Sequence, residues 1–382
     1  MSFQQGLSGL NAAAKNLDVI GNNVANSGTV GFKQSQTQFA DVYANSLTGA
    51  GGSQVGIGVQ LSTVAQQFTQ GNITSTNNPL DIAINGGGFF RMDNNGEINY
   101  QRNGQFQLDR NGYIVSSGGA HLTGYTANAS GVLSTGAPSS LFINTTDLPP
   151  QVTGDVTSIL NLDSTKTALT AAGFNMNDPT TFHNSTSVSI YDSLGNAHTL
   201  QTYYVKTAAG AWSVFGSVDG AASTSIGTLN FGTDGALTTA MPLTTSVAVT
   251  TGAATPFNVN IDFTGTTQFG SSFSVNKLTQ DGYTSGRLAG FNIGSDGIIL
   301  GRYTNGQSAV LGQVVLASFA NPNGLQPLGN NMWAETATSG SPLVGTPDTG
   351  SLGVLQSSAT EDSNVDLTAE LVNMITAQRV YQ

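Results

Sequence analysis

Apolar positions at the two ends of the chain repeat with the period of a helix, and those between them with the period of a strand. From the N-terminus they run Phe3, Leu7, Leu10, Ala14, Leu17, Gly21, Val24, in alternating steps of four and three, as a coiled-coil seam requires; Ala12, Ala13, Val19 and Ile20 widen the stripe. The spacing predicts a helix of about 24 residues, roughly 36 Å long. Asn26-Ser27-Gly28 should end it, because Asn and Gly accept the left-handed C-terminal turn. At the other end Leu367, Leu371, Met374, Gln378 and Tyr381 step likewise, behind Ser363 and Asp366, which read as a capping-box start. That pattern reaches Gln382 with no stop signal and reads as a truncated helix.

Between the helices lie short alternating runs such as FFRMDNNGEINYQ and SVSIYDSLGNAHTLQTYYVK. They are punctuated by Asn95-Gly96, Asn111-Gly112, Asp234-Gly235, Asp281-Gly282, Asp296-Gly297 and Asn305-Gly306, the dipeptides of hairpin turns. The pattern predicts a multi-domain, mainly β chain with terminal α-helices, its interior antiparallel and its domains discontinuous. Residues 1–33 with 358–382 form a coiled-coil-like helical core domain, and 34–71 an extended connector. Residues 72–145 with 283–357 form a first β domain, into which 146–282 inserts a second. Ordering the N-terminal helix costs more conformational entropy than its large seam side chains return on burial, so the helices should become firm only when neighbouring subunits cover them.

Charge changes the picture. Only 9% of the 382 residues are charged, where about 25% is usual, so the surfaces must be largely Ser, Thr, Asn and Gln. With 22 acidic residues against 11 basic ones, nothing clusters to neutralise a phosphate backbone, and nucleic acid is excluded as a partner. There is no cysteine for a disulfide framework or thiolate metal site. The N-terminus lacks the basic and apolar regions of a cleaved signal peptide, and no run is apolar enough for a membrane span. The three histidines, His121, His183 and His198, have no metal-ligand spacing and read as surface or hydrogen-bonded residues. GGGFFR at 86–91 opens no helix and lacks the third glycine of a dinucleotide fingerprint. DNNGE at 93–97 reads as a hairpin turn rather than a calcium loop. With no convergent acid, base or nucleophile, the expectation is a protein that is not an enzyme and takes no cofactor or metal.

Four stretches carry a resemblance to the bacterial flagellar rod and hook axial proteins, and to hook proteins in particular. SGLNAAAKNLDVIGNNVANSGTVGFK is similar to their N-terminal signature, with Ala25, Asn26, Thr29, Gly31, Phe32 and Lys33 at its motif positions. NPLDIAINGGGFF, Asn78 to Phe90, resembles the start of their first β domain, and LGQVVLASFANPNGLQPLGNNMW, Leu311 to Trp333, its returning half. Asn364 to Tyr381 resembles their C-terminal helix, and YDSLGNAHTL favours hook over rod. The resemblance implies a subunit that is exported by the flagellar apparatus and polymerises into a curved tube on the bacterial surface. That tube would be the flexible joint between motor and filament, with helices lining an export channel and β domains stacked outside. Its implied partners are further copies of itself, the distal rod protein, the hook cap protein, the hook-filament junction protein, the export apparatus and the hook-length control protein. The stretch Tyr43 to Gly58 is longer and richer in Gly than the shortest hook proteins require.

Two other readings stay open at this point. A distal rod protein shares the terminal signatures, though the long inserted domain argues against it, and a secreted carbohydrate-binding β protein explains the low charge but not the seams. Asn22, Asn23 and Asn26 either cap the first helix and its turn or join neighbouring subunits, where a short amide bonds backbone without adding charge. Gly21 allows close helix approach.

Overall fold

A computed structural model describes residues 2–42, 56–128 and 131–382; most of the Gly-rich stretch from Tyr43 to Gly58 thus lies outside the described residues. The chain is mainly β, with one long helix at each end. Helix α1 spans Ser2–Ala25 and helix α2 Leu367–Tyr381. No helix among the described residues is long and apolar enough to cross a membrane.

Asp366 is the N-cap of α2, and its Oδ1 accepts from the Thr368 and Ala369 amides at 2.9 and 3.1 Å. This corrects the capping-box reading. Ser363 instead accepts from the Val365 amide in a turn of its own, because a carboxylate one residue before the helix reaches the orphan N–H groups directly. The left-handed residue expected near Gly28 is Gly31, with φ +71°.

Contacts divide the chain into two units. The first comprises Met1–Thr145, Ala289–Arg302 and Ser308–Gln382. Strands β1 (Ser35–Val42) and β2 (Gly58–Gln66) form an antiparallel hairpin beside α1, so the connector folds back on itself. Strands β3 (Ile73–Ser75) and β4 (Ile82–Asn85) pair with Ala359–Glu361 and Val354–Ser357, which brings the chain back from the β region beside its point of entry. Strands β5 (Phe89–Asn94) and β6 (Glu97–Gln101) close a hairpin at Asn95-Gly96, both at positive φ, as a two-residue primed turn demands. They belong to a branched 13-stranded sheet. One core of this unit gathers Phe89, Tyr100, Phe319, Leu325 and Trp333, with ring centroids 4.8 to 5.9 Å apart in edge-to-face pairs.

The second unit is Thr146–Leu288 with Tyr303–Gln307. Asn184–Tyr191, Ala197–Ala208, Ala211–Val218 and Thr224–Asn230 form an antiparallel meander. A second four-stranded sheet joins Leu243–Val247, Phe257–Asp262, Asp155–Asn161 and Ser274–Gln280. Its central pair, Asp155–Asn161 with Phe257–Asp262, is parallel, which corrects the wholly antiparallel expectation; the long connection between them supplies the crossover a parallel pair needs. Both sheets contribute to one core around Trp212, Tyr204, Phe263, Leu200 and Val259.

Candidate functional site

The N-terminal signature folds into a joint where α1 meets the β unit. Asn23 is 1% exposed, since its position on α1 turns it towards β1 and α2. Its side chain donates to the Ser35 carbonyl at 2.8 Å and to Glu370 Oε2 at 3.2 Å, and accepts from the Ser35 amide at 2.9 Å. Glu370, buried on α2, also accepts from Gln34 Nε2 at 2.9 Å and Asn373 Nδ2 at 3.2 Å, so this carboxylate is held by amides rather than by a cation. Asn26 donates to the Asn22 carbonyl at 2.9 Å and accepts from Thr29 Oγ1 at 3.2 Å, closing the helix end. Asn22 keeps an exposed side chain. The three asparagines therefore do different things. Asn26 closes the helix end and Asn23 ties it to α2 within the subunit, so Asn23 has no donor left for a neighbour.

Beneath this lies a buried ion cluster, of whose members sequence reasoning named only Lys33, and that as a motif position rather than as one of a charged set. Lys33 Nζ stands 2.6 Å from Glu361 Oε1 and donates to the Thr69 carbonyl at 2.8 Å. Arg102 Nη1 stands 3.2 Å from Glu361 Oε2, and its Nη2 donates to the Gly86 carbonyl at 2.8 Å. Glu361 also accepts from the Gly71 amide through Oε1 and from the Gly31 amide through its carbonyl. Burial pushes the Lys33 ammonium below its ordinary range despite the pull of Glu361, and Arg102 adds to the lowering. Burial likewise lowers Arg102, which lies over the Phe89 ring and leaves its Nε without a partner. The usable signal was scarcity, because in a chain with so few charges a Lys, Arg or Glu set among apolar and turn residues is there for a reason.

Helices α1 and α2 pack on each other through small and polar side chains. They and β1 enclose a groove of about 840 Å³ whose walls include Ala12, Ala13, Asn16, Ile20, Glu370 and Ala377. The seam predicted from the sequence is centred about 130° around α1 from that face. Phe3 is 83% exposed, with Leu7 and Leu10 at 48% and 40%. Ala14, Leu17, Gly21 and Val24 are half-buried. On α2, Leu367, Leu371, Gln378 and Tyr381 are exposed and Met374 half-buried, but Val372, Ile375 and Val380 are exposed too, so its apolar surface is broader than the predicted stripe. Hairpin residues Phe39, Leu61 and Val64 add to the uncovered apolar surface of this unit. Charge is nearly absent: α1 carries only the exposed Lys15–Asp18 pair, and α2 only Glu370 and Arg379. Such a surface can bind its own kind by apolar contact without like-charge repulsion.

The remaining candidates are structural. His121 stacks on Tyr113, and His183 accepts from the Lys206 amide. Asp93 to Glu97 is a hairpin turn, with Asp93 Oδ1 accepting from the Gly96 amide at 2.7 Å. Among the described residues no three His, Asp or Glu side chains are grouped to hold a metal.

Comparison with known proteins accords with this arrangement. Residues 3–33 match the flagella basal body rod protein family, 83–192 the flagellar hook protein FlgE/F/G D1 domain, 161–283 the flagellar basal body protein FlaE D2 domain and 356–382 the flagellar basal body rod FlgEFG protein C-terminal family. The flagellar hook protein FlgE of Salmonella typhimurium strain LT2 is 43% identical over 394 residues, covering 100% of this chain and 95% of the relative. The chain belongs to the flagellar hook protein FlgE family. The FlgE of Escherichia coli K12 is 41% identical over 390 residues, with the same coverage, and that of Borreliella burgdorferi 31% over 420 residues. The crystal structure of Helicobacter pylori flagellar hook protein FlgE2 superposes with TM-score 0.55 over 74% of this chain and 99% of that one. At 15% identity that likeness concerns the FlgE fold alone.

Proposed function

We propose that this chain is a structural subunit of the bacterial flagellar hook, which assembles into a tube that couples rod to filament. The observation that carries the reading is the nearly uncharged apolar surface that α1 and α2 leave uncovered, in a chain belonging to the hook family. Phe3, Leu7, Leu10, Ala14, Leu17, Gly21 and Val24 on one helix, and Leu367, Leu371, Met374, Gln378 and Tyr381 on the other, are the positions that meet neighbouring copies. Asn22 and Asn26 stand at the edge of that surface. The helices line the tube, and uncharged polar contacts between neighbouring subunits let them shift without breaking ion pairs. The tube stands on the distal rod protein and is served by the cap, junction, export and length-control proteins of the flagellum. The protein catalyses no reaction.

Electron microscopy of the purified protein at high concentration tests this. Curved tubes are expected. Straight tubes would favour the distal rod, and a protein that stays monomeric at that concentration would overturn the reading.

A further inference from the structure

The stretch YDSLGNAHTL, Tyr191 to Leu200, is not used by the terminal helices, and it encloses a histidine between two carboxylates. His198 Nδ1 lies 2.6 Å from Asp219 Oδ2 and Nε2 lies 3.3 Å from Asp192 Oδ2. The ring is 6% exposed and the Asp192 side chain fully buried, whereas Asp219 is half in water. These two carboxylates are the charged groups that face the ring. Asp192 comes from the turn before the strand Ala197–Ala208, and Asp219 from the turn after Ala211–Val218. A neutral imidazole has a single N–H, so one nitrogen lone pair would then point at a carboxylate oxygen; only the imidazolium donates to both.

Asp192 also reaches the second sheet. Its Oδ2 accepts from Thr251 Oγ1 at 2.6 Å, and the neighbouring Ser193 Oγ accepts from the Ala254 amide at 3.0 Å, both from the loop between Leu243–Val247 and Phe257–Asp262. We propose that this motif is a pH-dependent clamp. An imidazolium at His198 ties Asp192 to Asp219, holds the turn that grips the opposite sheet, and releases that grip when an alkaline medium removes its proton.

Electrostatics point the same way. Burial lowers the His198 pKa, but the bonds to Asp219 and Asp192 outweigh it and the net shift is upward from 6.5. For Asp192 burial raises the pKa, but bonds from Thr251, Asn196 and His198 hold it well below the carboxylate range; Asp219 is lowered by the Thr199 amide and His198 against the same opposing burial. A raised histidine contributes stability that is complete below the unfolded value and is lost as pH rises through the folded one. The depressed carboxylates contribute above their unfolded value of 3.8 and lose it as pH falls. The clamp is therefore closed between these limits and opens on the alkaline side.

Nitrogen-detected NMR of the histidines in the whole chain, with thermal unfolding over the same pH series, tests this. His198 should carry protons on both nitrogens at neutral pH, with a midpoint above 6.5. The unfolding temperature of the 146–288 unit should fall as pH passes that midpoint, and exchange at the Ala254 amide should quicken by more than the intrinsic tenfold per pH unit. His198→Gln should abolish the alkaline fall. If that variant does not fold, Asp219→Asn at the half-exposed position should lower the His198 midpoint. A single-proton His198 at neutral pH, an alkaline fall that persists in His198→Gln, or a midpoint unmoved in Asp219→Asn would overturn the clamp.

Discussion

Lys33 and Glu361 are 328 residues apart along the chain and 2.6 Å apart in space, with neither side chain exposed. One closes the N-terminal signature and the other ends the strand that pairs with β3, so the contact locks the chain's way into the β unit to its way out. Arg102 completes the set with a second cation on the same carboxylate.

Removing Glu361 leaves two buried cations without a counter-charge, and breaking such a pair costs about 3–5 kcal/mol. Glu361→Gln should therefore destabilise the β unit by that order in urea unfolding although shape is kept. Lys33→Met removes one cation and leaves Arg102 to neutralise Glu361, so it should cost clearly less. Equal effects of the two would show that packing, not charge, holds the joint.

Gly31 and Gly28 stand three residues apart and should respond in opposite ways. At Gly31 φ is +71° and an added Cβ would lie 2.6 Å from the Asn103 amide nitrogen, whereas at Gly28 it would meet open space. Gly31→Ala should lose well over about 1 kcal/mol through strain and collision, and Gly28→Ala should be neutral or gain up to about 1 kcal/mol by restricting the unfolded chain. Thermal unfolding of the two variants decides it, and a tolerated Gly31→Ala would refute the close approach.

Asn23→Ala takes away one amide and strands three groups: the Ser35 N–H, the Ser35 carbonyl and one oxygen of Glu370. Leaving buried polar groups unpaired costs about 1–3 kcal/mol. The helices should detach at lower temperature, seen as an earlier loss of helical circular dichroism than in the unmodified chain. Asn22→Ala, at an exposed side chain, should stay within about 0.5 kcal/mol. An Asn23→Ala that melts like Asn22→Ala would remove the case for the intrachain tie.

These contrasts mark what the sequence could and could not convey. Long periodic segments such as Phe3 to Val24 announce their type, because a helix must repeat its buried face every turn, and Asn95-Gly96 announces a primed turn because few residues accept positive φ. Which face of α1 meets α2 was not legible. Hydrophobicity points first to the Leu seam and only second to Ala12, Ala13, Val19 and Ile20; it is this second face, with Asn16, that lines the groove beside α2, and Asn23 that bonds Glu370 across it. Nor could local pattern locate Glu361, whose partners are supplied from positions hundreds of residues away. The parallel pairing of Asp155–Asn161 with Phe257–Asp262 escaped for the same reason, since register between distant strands is settled by the whole core.

Assembly and folding separate at Ala14. It lies on the seam, away from the groove between α1 and α2, and is half-buried in the subunit. Ala14→Glu adds a charge where a neighbouring copy closes over it in the proposed tube, and burying an unpaired carboxylate costs several kcal/mol even after relaxation. The aromatic core around Phe89 and Trp333 and the core of the second unit contain no residue of α1, so their strand content and thermal transition should not change. Tubes and motility should be lost. Ala14→Leu separates bulk from charge: overpacking costs about 1–3 kcal/mol, so assembly should weaken rather than vanish, and higher protein concentration should restore it. An Ala14→Glu chain that forms normal tubes would mean that the Phe3 to Val24 seam faces no neighbour, and the assembly surface would have to be sought on the exposed residues of α2 and the β1–β2 hairpin instead.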